Sequence, residues 1–158
     1  MTPYAERPYR PCVGIVLIND ADHVFVGQRI DNMVEAWQMP QGGIDDGETP
    51  LEAGYREMME EIGTDNARFL GEHDGWLDYD IPEDLANRLW QGRFRGQTQK
   101  WLAFRFTGVD AEINIATPEP EFRAWRWAEP ADLPGMAVPF KRDVYHNVLS
   151  QLIPLINA

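Results

Sequence analysis

The sequence predicts an α/β domain in which a β-sheet packs between helices. Apolar stretches typical of strands are mixed along the chain with two amphipathic stretches typical of helices, and this order favours an α/β sandwich. The 158 residues, 44% of them hydrophobic, are enough for one domain with a sizeable core. Because we find no internal repeat and no low-complexity linker, we expect a single domain that covers residues 1–158.

Apolar stretches predict at least six strands. "CVGIVLIND" and "HVFVGQRI" flank the polar turn "NDAD" and favour two consecutive strands. "ARFLGEHDGWLDYDI" suggests a strand, a turn and another strand, and "FRAWRWAE" a short one. Alternation in "QTQKWLAFRFTG" predicts a strand with Lys100, Leu102, Phe104 and Phe106 on one face. "LANRLWQGRFRGQ" is ambiguous, with a helical turn followed by a Gly-rich loop.

Capping signals predict a helix from about Pro50 to Ile62. Thr49 and Glu52 form a T-x-x-E capping box around Pro50, and Gly63 stands where a C-terminal cap belongs. The final stretch "FKRDVYHNVLSQLIPLI" has helical spacing and should pack across the sheet. Its apolar face is predicted from Val144, Val148 or Leu149, and Leu152.

The composition restricts the classes of partner. A net charge of −12 argues against a broad basic surface for long nucleic acid, and we expect no binding to DNA. It leaves room for a small basic pocket that takes one phosphorylated end, and it suits divalent cations, although an acidic surface is most often simply solvated. The absence of a membrane-span-sized apolar run or a signal peptide predicts a cytoplasmic protein. The lone Cys12 is predicted to be buried and inert.

Three carboxylates are predicted to share one face of the first helix. Glu57, Glu60 and Glu61 fall within an arc of roughly 100° and can reach one point in space. Such a cluster is repulsive without a cation but becomes a ligand set for magnesium or manganese. Gly42 and Gly43 would let backbone groups approach a metal or phosphate closely. The alternative is a solvated helix face; an EF-hand is disfavoured because its loop spacing is absent.

The spacing of these residues resembles the Nudix box, here residues 42–64. Thr64 departs from the pattern, because an aliphatic residue is usual at that packing position. The positions that match are Gly42, Glu48, Arg56, Glu57, Met58, Glu60, Glu61 and Gly63. "YRPCVGIVL", "WQMPQGGI", "GQTQKW", "AEINI", "PEFRAWRW" and "PFKRDVY" also resemble the bacterial RNA pyrophosphohydrolase and plant-type dinucleoside tetraphosphate hydrolase branch, from Tyr9 to Tyr145. The resemblance implies a Nudix fold, with a mixed sheet between helices.

The resemblance also implies roles for the acidic residues. Glu57, Glu60 and Glu61 would hold Mg²⁺, or Mn²⁺ or another divalent cation, with help from the Gly43 carbonyl. Glu121 matches a further carboxylate that binds metal or acts as the base, and the general base stays open between Glu57 and Glu121. Arg56 lies about 100° around the helix from Glu57, so we expect it to pair instead with an upstream acid such as Glu48 and to hold the catalytic loop against the helix.

Several residues match substrate-facing positions of the resembled branch. Arg10, Arg29, Lys100 and Lys141 would neutralise phosphate oxygens, although a surface ion pair is the alternative for each. Phe140 would stack on a base, or else serve as a core residue that opens the last helix. Tyr79 is a weaker pocket residue. Core positions are expected for Trp37, Trp101, Trp125 and Trp127.

The expected activity is hydrolysis of a phosphoric anhydride with a divalent cation. The substrate would be the 5′ triphosphate end of RNA, a dinucleoside polyphosphate, or both, and the sequence leaves the choice open. Two alternatives remain: another nucleoside diphosphate derivative, and a nucleotide-binding module without turnover. Loss of hydrolysis usually removes a box glutamate, but Glu57, Glu60 and Glu61 are all present, which disfavours the binding module.

Overall fold

The computed structural model describes residues 2–30 and 35–156. One sheet of seven strands forms the centre of the fold. The strands are β1 (Tyr9–Ile18), β2 (Val24–Arg29), β3 (Gln41–Gly43), β4 (Ala67–Glu72), β5 (Leu77–Asp80), β6 (Gly96–Phe106) and β7 (Phe122–Ala128). The helices are α1 (Pro50–Ile62), α2 (Glu83–Arg88), α3 (Leu133–Met136) and α4 (Arg142–Ile156).

The sheet is mixed. Its main path runs β4-β6-β1-β2-β7, and β3 and β5 pair with β1 and β6 outside that path. β1 is parallel to β6 from Tyr9 opposite Gly96 to Ile18 opposite Arg105, whereas every other named pair of strands in the described residues is antiparallel. The predicted mixed sheet is therefore confirmed.

The helix α1 begins and ends where the capping signals predict. The Thr49 side chain accepts a hydrogen bond from the Glu52 backbone N–H at 3.1 Å, and the Glu52 carboxylate accepts one from the Thr49 N–H at 3.0 Å. Gly63 has a φ of 80°, a left-handed conformation that glycine adopts without steric cost. Local sequence alone therefore fixes the helix that carries the three glutamates.

Helices cover the two faces of the sheet, so the predicted sandwich is confirmed. Alternate residues of β1 and β6 point to opposite faces. On one face, Val13, Ile15 and Leu102 pack against α1; on the other, Val16 and Trp101 pack against α4. The predicted inner face of α4 is also confirmed, because Val144, Val148, Leu149 and Leu152 are all buried.

Two short elements were not predicted, β3 and α3, whereas the helical turn expected in "LANRLWQGRFRGQ" is present as α2. β3 is only three residues long and forms because Gln41, Gly42 and Gly43 pair with β1. The ambiguous stretch contains α2 and a 3₁₀ turn, Leu89–Gly92, and α3 precedes the last helix. Phe140 lies in the 3₁₀ turn Pro139–Lys141 before α4. Among the described residues, no helix combines the length and apolarity needed to cross a membrane.

Candidate functional site

Two glycines allow charged side chains to approach the loop before α1. A Cβ at position 42 would overlap the carboxylate of Glu57, and a Cβ at position 43 would overlap the guanidinium of Arg10. Pairing of β3 with β1 places this loop at the edge of the sheet, next to the α1 helix. The glycines therefore bring one carboxylate and one guanidinium against the same stretch of backbone.

Arg56 connects the loop to the carboxylates of α1. Its Nε and Nη2 donate to Glu48 at 2.7 and 2.8 Å, and Nη2 also donates to the Gly43 carbonyl at 2.8 Å. The predicted pair with Glu48 is confirmed, and its hydrogen bonds lower the pKa of Glu48 to about 2.

The expectation that Arg56 would avoid Glu57 is wrong. Nη1 of Arg56 donates to Glu57 at 2.9 Å and to Glu60 at 3.2 Å, because the long side chain spans the 100° between neighbouring positions on the helix. One guanidinium thus contacts two of the three glutamates as well as the loop.

The three glutamates of α1 differ in burial. Glu57 and Glu61 are 8% and 5% exposed, whereas Glu60 is exposed. Burial raises the pKa of the Glu57 carboxyl, and the Arg56 guanidinium opposes that shift. Burial raises the pKa of Glu61 well above its usual value, and the negative charges of Glu57 and Glu121 raise it further. The carboxyl groups of Glu57 and Glu61 are therefore held close together in a position shielded from solvent.

The donor set fits a hard divalent cation. Oε2 of Glu61 is buried and has no hydrogen-bond partner among the described residues. An unsatisfied buried carboxylate oxygen is costly, and a bound cation would satisfy it. In the described part of the chain, however, no three His, Cys, Asp or Glu side chains are arranged so that they could hold an ion. Arg56 occupies oxygens of Glu57 and Glu60 in this arrangement. Metal binding by these glutamates therefore stays a prediction and needs their side chains to turn away from Arg56.

A cavity of about 500 Å³ extends from the glutamates. Its walls bring together most of the residues predicted for the site. They include the acidic side chains and the loop glycine, Glu57, Glu60, Glu61, Glu121 and Gly43, and the basic and aromatic side chains, Arg10, Arg29, Tyr79, Phe140 and Lys141. A second hollow of about 310 Å³ shares the three helix glutamates and Glu121, and Glu119 also lines it. Carboxylates and cations therefore face one space.

Two rings form one wall of the cavity. The centroids of Tyr79 and Phe140 are 5.9 Å apart, with 31° between the ring planes. The Tyr79 hydroxyl donates to Oε1 of Gln97 at 2.9 Å, which fixes the tyrosine ring. Phe140 is half-buried, packs against the α4 side of the core and also lines the cavity, so its packing role is confirmed and its stacking on a base stays a prediction.

The cations of the cavity are held by several different contacts. The Arg10 guanidinium lies 4.9 Å from the centroid of the Trp90 ring. Lys141 is buried and its Nζ donates to Oε1 of Gln38 at 3.2 Å. Arg29 lies 4.0 Å from the Glu121 carboxylate. Part of the loop after Arg29, residues 31–34, lies outside the described residues.

Lys100 is the predicted substrate residue that the structure does not bring to the cavity. Gln97 lines the cavity, and residues of β6 alternate between the faces of the sheet, so Lys100 points to the opposite face. Its Nζ donates to the His73 carbonyl at 2.9 Å and lies 3.6 Å from Glu72. The expectation that Lys100 faces the substrate is therefore corrected, and Lys100 ties β6 to β4.

Other sequence expectations hold. Cys12 is buried, and burial raises the pKa of its thiol to about 11, so it stays protonated and inert. Trp101 is fully buried. The remaining three tryptophans expected in the core are half-buried and pack against it: Trp37, Trp125 and Trp127.

Comparison with known proteins now decides the family. The family model described as NUDIX domain matches residues 8–148. The chain belongs to the Nudix family. The chain is 62% identical over 148 residues to an RNA pyrophosphohydrolase of Rhodospirillum rubrum, covering 94% of this chain and 89% of the relative. An RNA pyrophosphohydrolase of Roseobacter denitrificans is 56% identical over 153 residues, covering 94% and 96%.

Solved structures support the Nudix fold. The E. coli dihydroneopterin triphosphate pyrophosphohydrolase aligns with a TM-score of 0.67 and 21% identity. The alignment covers 96% of this chain and 100% of that one. A C. elegans Ap4A hydrolase in a binary complex aligns with a TM-score of 0.60 and 17% identity, over 90% and 98%. Identities this low carry the fold alone.

Sequence reasoning missed several residues of the Nudix cavity. Gln41 and Gln97 reach it through strand pairing between distant segments, which no local pattern reveals. Leu85, Leu89 and Trp90 line it from α2 and the following turn. A signal for Trp90 was present in "RLWQGRFR", where aromatic and basic residues are interleaved.

Proposed function

We propose that this Nudix domain is a divalent-cation-dependent hydrolase that removes pyrophosphate from the 5′-triphosphate end of RNA. The observation that carries the proposal is that carboxylates, cations and paired rings line one and the same cavity. An RNA 5′ end presents a phosphate chain followed by a base, and the cavity has matching groups for both. The identity to proteins named RNA pyrophosphohydrolase, 62% and 56%, supports the same substrate.

The carboxylates would hold the cation. Glu57, Glu60 and Glu61 supply oxygen ligands, and the Gly43 carbonyl and Glu121 add to them. Hard oxygen donors suit Mg²⁺, with Mn²⁺ or another divalent cation as a substitute. A bound cation of this kind neutralises phosphate oxygens and makes water more acidic.

The chain's own residues would position the phosphate chain and the base. Arg10, Arg29 and Lys141, which line the same cavity as the glutamates, would neutralise oxygens of the phosphate chain. Phe140 would stack on the first base, with Tyr79 behind it to keep the ring in place. Arg56 would hold the Gly43 carbonyl and the helix in register, as a positioning residue that acts through Glu48.

Water attacks a phosphorus atom, the bond to the bridging oxygen breaks, and the proton of the water passes to a carboxylate. Glu57 and Glu121 remain the two candidates for that base. Glu57 is buried and has a raised pKa, whereas Glu121 is exposed beside Arg29. Profiles of kcat against pH for Glu57→Gln and Glu121→Gln would identify the base, since only loss of the base removes the acidic limb.

A dinucleoside polyphosphate such as diadenosine tetraphosphate is a second candidate substrate, cleaved to ATP and AMP. The observation that favours it is Trp90, a ring in the same cavity besides the Tyr79–Phe140 pair, since a dinucleotide has two bases to accommodate. Action in the cytoplasm, as a single domain over residues 1–158, stays a prediction.

A product assay tests the proposal. Purified protein with Mg²⁺ receives 5′-triphosphorylated RNA and diadenosine tetraphosphate in parallel, and Glu60→Gln serves as the inactive control. We expect pyrophosphate or orthophosphate from RNA at the higher kcat/KM. Faster conversion of the dinucleotide would assign the second candidate instead.

Glutamine in place of Glu57, Glu60 or Glu61 should lower turnover by roughly two orders of magnitude or more while leaving the fold intact. Near-normal rates in all three variants would refute the site. If the parent protein binds either substrate but does not hydrolyse it, the domain is a nucleotide-binding module. If the parent protein neither binds nor hydrolyses the two substrates, another nucleoside diphosphate derivative is the substrate to test.

A further inference from the structure

A basic and aromatic segment borders the cavity at the C-terminal end of α2. Residues 88–95, "RLWQGRFR", contain three arginines and two aromatic residues, in a chain whose net charge is −12. Leu89 and Trp90 of this segment line the cavity, and Arg88 and Arg93 are exposed just beyond it. The segment therefore continues the cavity wall onto the surface. We call residues 88–95 the arginine–aromatic segment.

Four side chains form a continuous row of contacts from the loop before α1 to the surface. Arg10 lies against Gly43 and over the Trp90 ring at 4.9 Å. The ring of Phe94 packs edge-on to Trp90, with centroids 5.9 Å apart and 80° between the planes. Arg93 lies over Phe94 at 5.5 Å. Cations and rings thus lead outward from the loop beside Glu57 to solvent.

The backbone of the segment keeps Trp90 at the cavity wall. Trp90 and Gln91 have φ values of 47° and 59°, a left-handed conformation that is unfavourable for residues other than glycine. Both the backbone N–H and Nε of Arg93 donate to the Trp90 carbonyl at 3.2 Å. A costly conformation that is held by two hydrogen bonds is more typical of a functional position than of a plain connecting turn.

The positive charge of this surface is available to a ligand. Within residues 2–30 and 35–156, Arg10, Arg88 and Arg93 form no ion pair with a carboxylate, whereas Arg95 is neutralised by Asp80 at 3.0 Å. Glu83 and Asp84 lie one to two turns earlier on α2, and Arg88 contacts only the backbone carbonyl of Asp84. An acidic protein thus exposes unpaired guanidinium groups next to rings at the mouth of its cavity.

We propose that the arginine–aromatic segment binds the single-stranded RNA nucleotides that follow the 5′ end held in the cavity. Guanidinium groups neutralise successive phosphates, and rings interleaved with them stack on bases without sequence preference. The inference rests on the proposed function. It also separates the two candidate substrates, because RNA continues past Trp90 while a dinucleotide ends within the cavity.

Substrate length tests the proposal. Steady-state kinetics with Mg²⁺ compare a 5′-triphosphorylated dinucleotide, a 12-nucleotide unpaired RNA and diadenosine tetraphosphate, for the parent and for Arg88→Gln/Arg93→Gln. The matched control is Arg68→Gln, which removes an exposed arginine on β4. Arg68 lies opposite Arg105 of β6. Arg105 is nine residues, or about 30 Å, along β6 from Gly96, the residue that follows the arginine–aromatic segment. In the double variant, KM for the 12-nucleotide RNA should rise about tenfold. KM for the two short substrates should stay unchanged, because the backbone N–H of Arg93, which the variant keeps, still donates to the Trp90 carbonyl.

Salt dependence gives an independent measurement. Fluorescence anisotropy of the same 12-nucleotide RNA with a 5′ hydroxyl follows binding without turnover, from low to high KCl concentration. Loss of two phosphate contacts should make the slope of log K against log salt shallower by about 1.4 in the double variant, and leave it unchanged in Arg68→Gln.

The outcomes separate the two proposals. An equal KM increase for all three substrates, or an unchanged KM and salt slope, would overturn the RNA-binding role of the segment. If the parent turns over neither triphosphorylated substrate, the proposed function fails, and the anisotropy slope alone then supports or overturns the segment. Binding of a protein partner instead of RNA would appear as an unchanged slope and would also overturn the proposal.

Discussion

Replacement of Glu48 by glutamine tests the ion pair that joins the loop to α1. Arg56 donates to the two Glu48 oxygens at 2.7 and 2.8 Å, and the Asp45 N–H donates to one of them at 3.0 Å. These hydrogen bonds favour the charged carboxylate and lower its pKa from 4.5 to about 2. The Glu48 side chain is 16% exposed, so water screens part of the interaction.

The expected loss of stability follows from linkage. A pKa lowered from 4.5 to about 2 corresponds to roughly 3.4 kcal/mol at pH 7, and screening reduces the expected effect of Glu48→Gln to about 2 kcal/mol. Because the pKa is lower in the folded protein, this contribution is complete above 4.5 and is lost as pH falls toward 2. At pH 4 the parent should already have lost about 0.8 kcal/mol of it, since the unfolded chain binds the proton first.

Urea unfolding at pH 7 and pH 4 measures both quantities. The difference in unfolding free energy between the parent and Glu48→Gln should be about 2 kcal/mol at pH 7 and about 1.2 kcal/mol at pH 4. The control is Glu6→Gln, an exposed carboxylate without an ion pair in the described residues, and it should change stability by less than about 0.5 kcal/mol. The same difference at both pH values would refute the role of the Glu48 charge.

Three further predictions concern the cavity. Gly42→Ala should lower turnover at least about tenfold, because the added Cβ displaces the Glu57 carboxylate. The control Gly135→Ala, which adds a Cβ in open space, should keep the turnover of the parent. Equal turnover in the two variants would contradict the packing of Gly42 against Glu57. Glu61→Gln should raise the cation-free Tm by about 2–4 °C, because the amide avoids the cost that burial and the charges of Glu57 and Glu121 impose on this carboxyl, and it should abolish any rise with Mg²⁺ seen for the parent by differential scanning fluorimetry; a lower cation-free Tm would contradict that cost. Phe140→Ala should raise KM about tenfold with kcat unchanged, and an unchanged KM would leave Phe140 a core residue.

The parts of the fold that local sequence controls were predicted well. α1 matches the prediction from Pro50 to Ile62 because its capping groups lie within a few residues of each end. The buried face of α4 follows in the same way from helical spacing. β3 was missed because three residues, two of them glycine, have no strand pattern, and only the pairing with β1 makes them a strand.

The site was predicted where one helix carries it and less well where distant segments meet. The grouping of the three glutamates on one face of α1 was predicted from their spacing. The residues of the cavity wall also depend on how β5 pairs with β6, which local sequence does not reveal. Lys100 was expected at the substrate because it matches a substrate-facing position of the resembled branch. The face to which a residue of β6 points depends on the pairing of the sheet, and Gln97 is on the cavity side instead. Trp90 reaches the cavity through left-handed backbone that no periodicity predicts.

Arg56 explains how so many carboxylates are tolerated on one helix. Without a cation, its guanidinium contacts Glu57 and Glu60, so their mutual repulsion is partly offset within the chain itself. Its stronger anchor is elsewhere, in the two short bonds to Glu48 and the one to the Gly43 carbonyl. If a cation took over Glu57 and Glu60, the Nη1 contacts of Arg56 would be released, and its two bonds to Glu48 would keep it fixed to the loop. The same residue can thus stabilise the domain before metal binds and keep the loop in position afterwards.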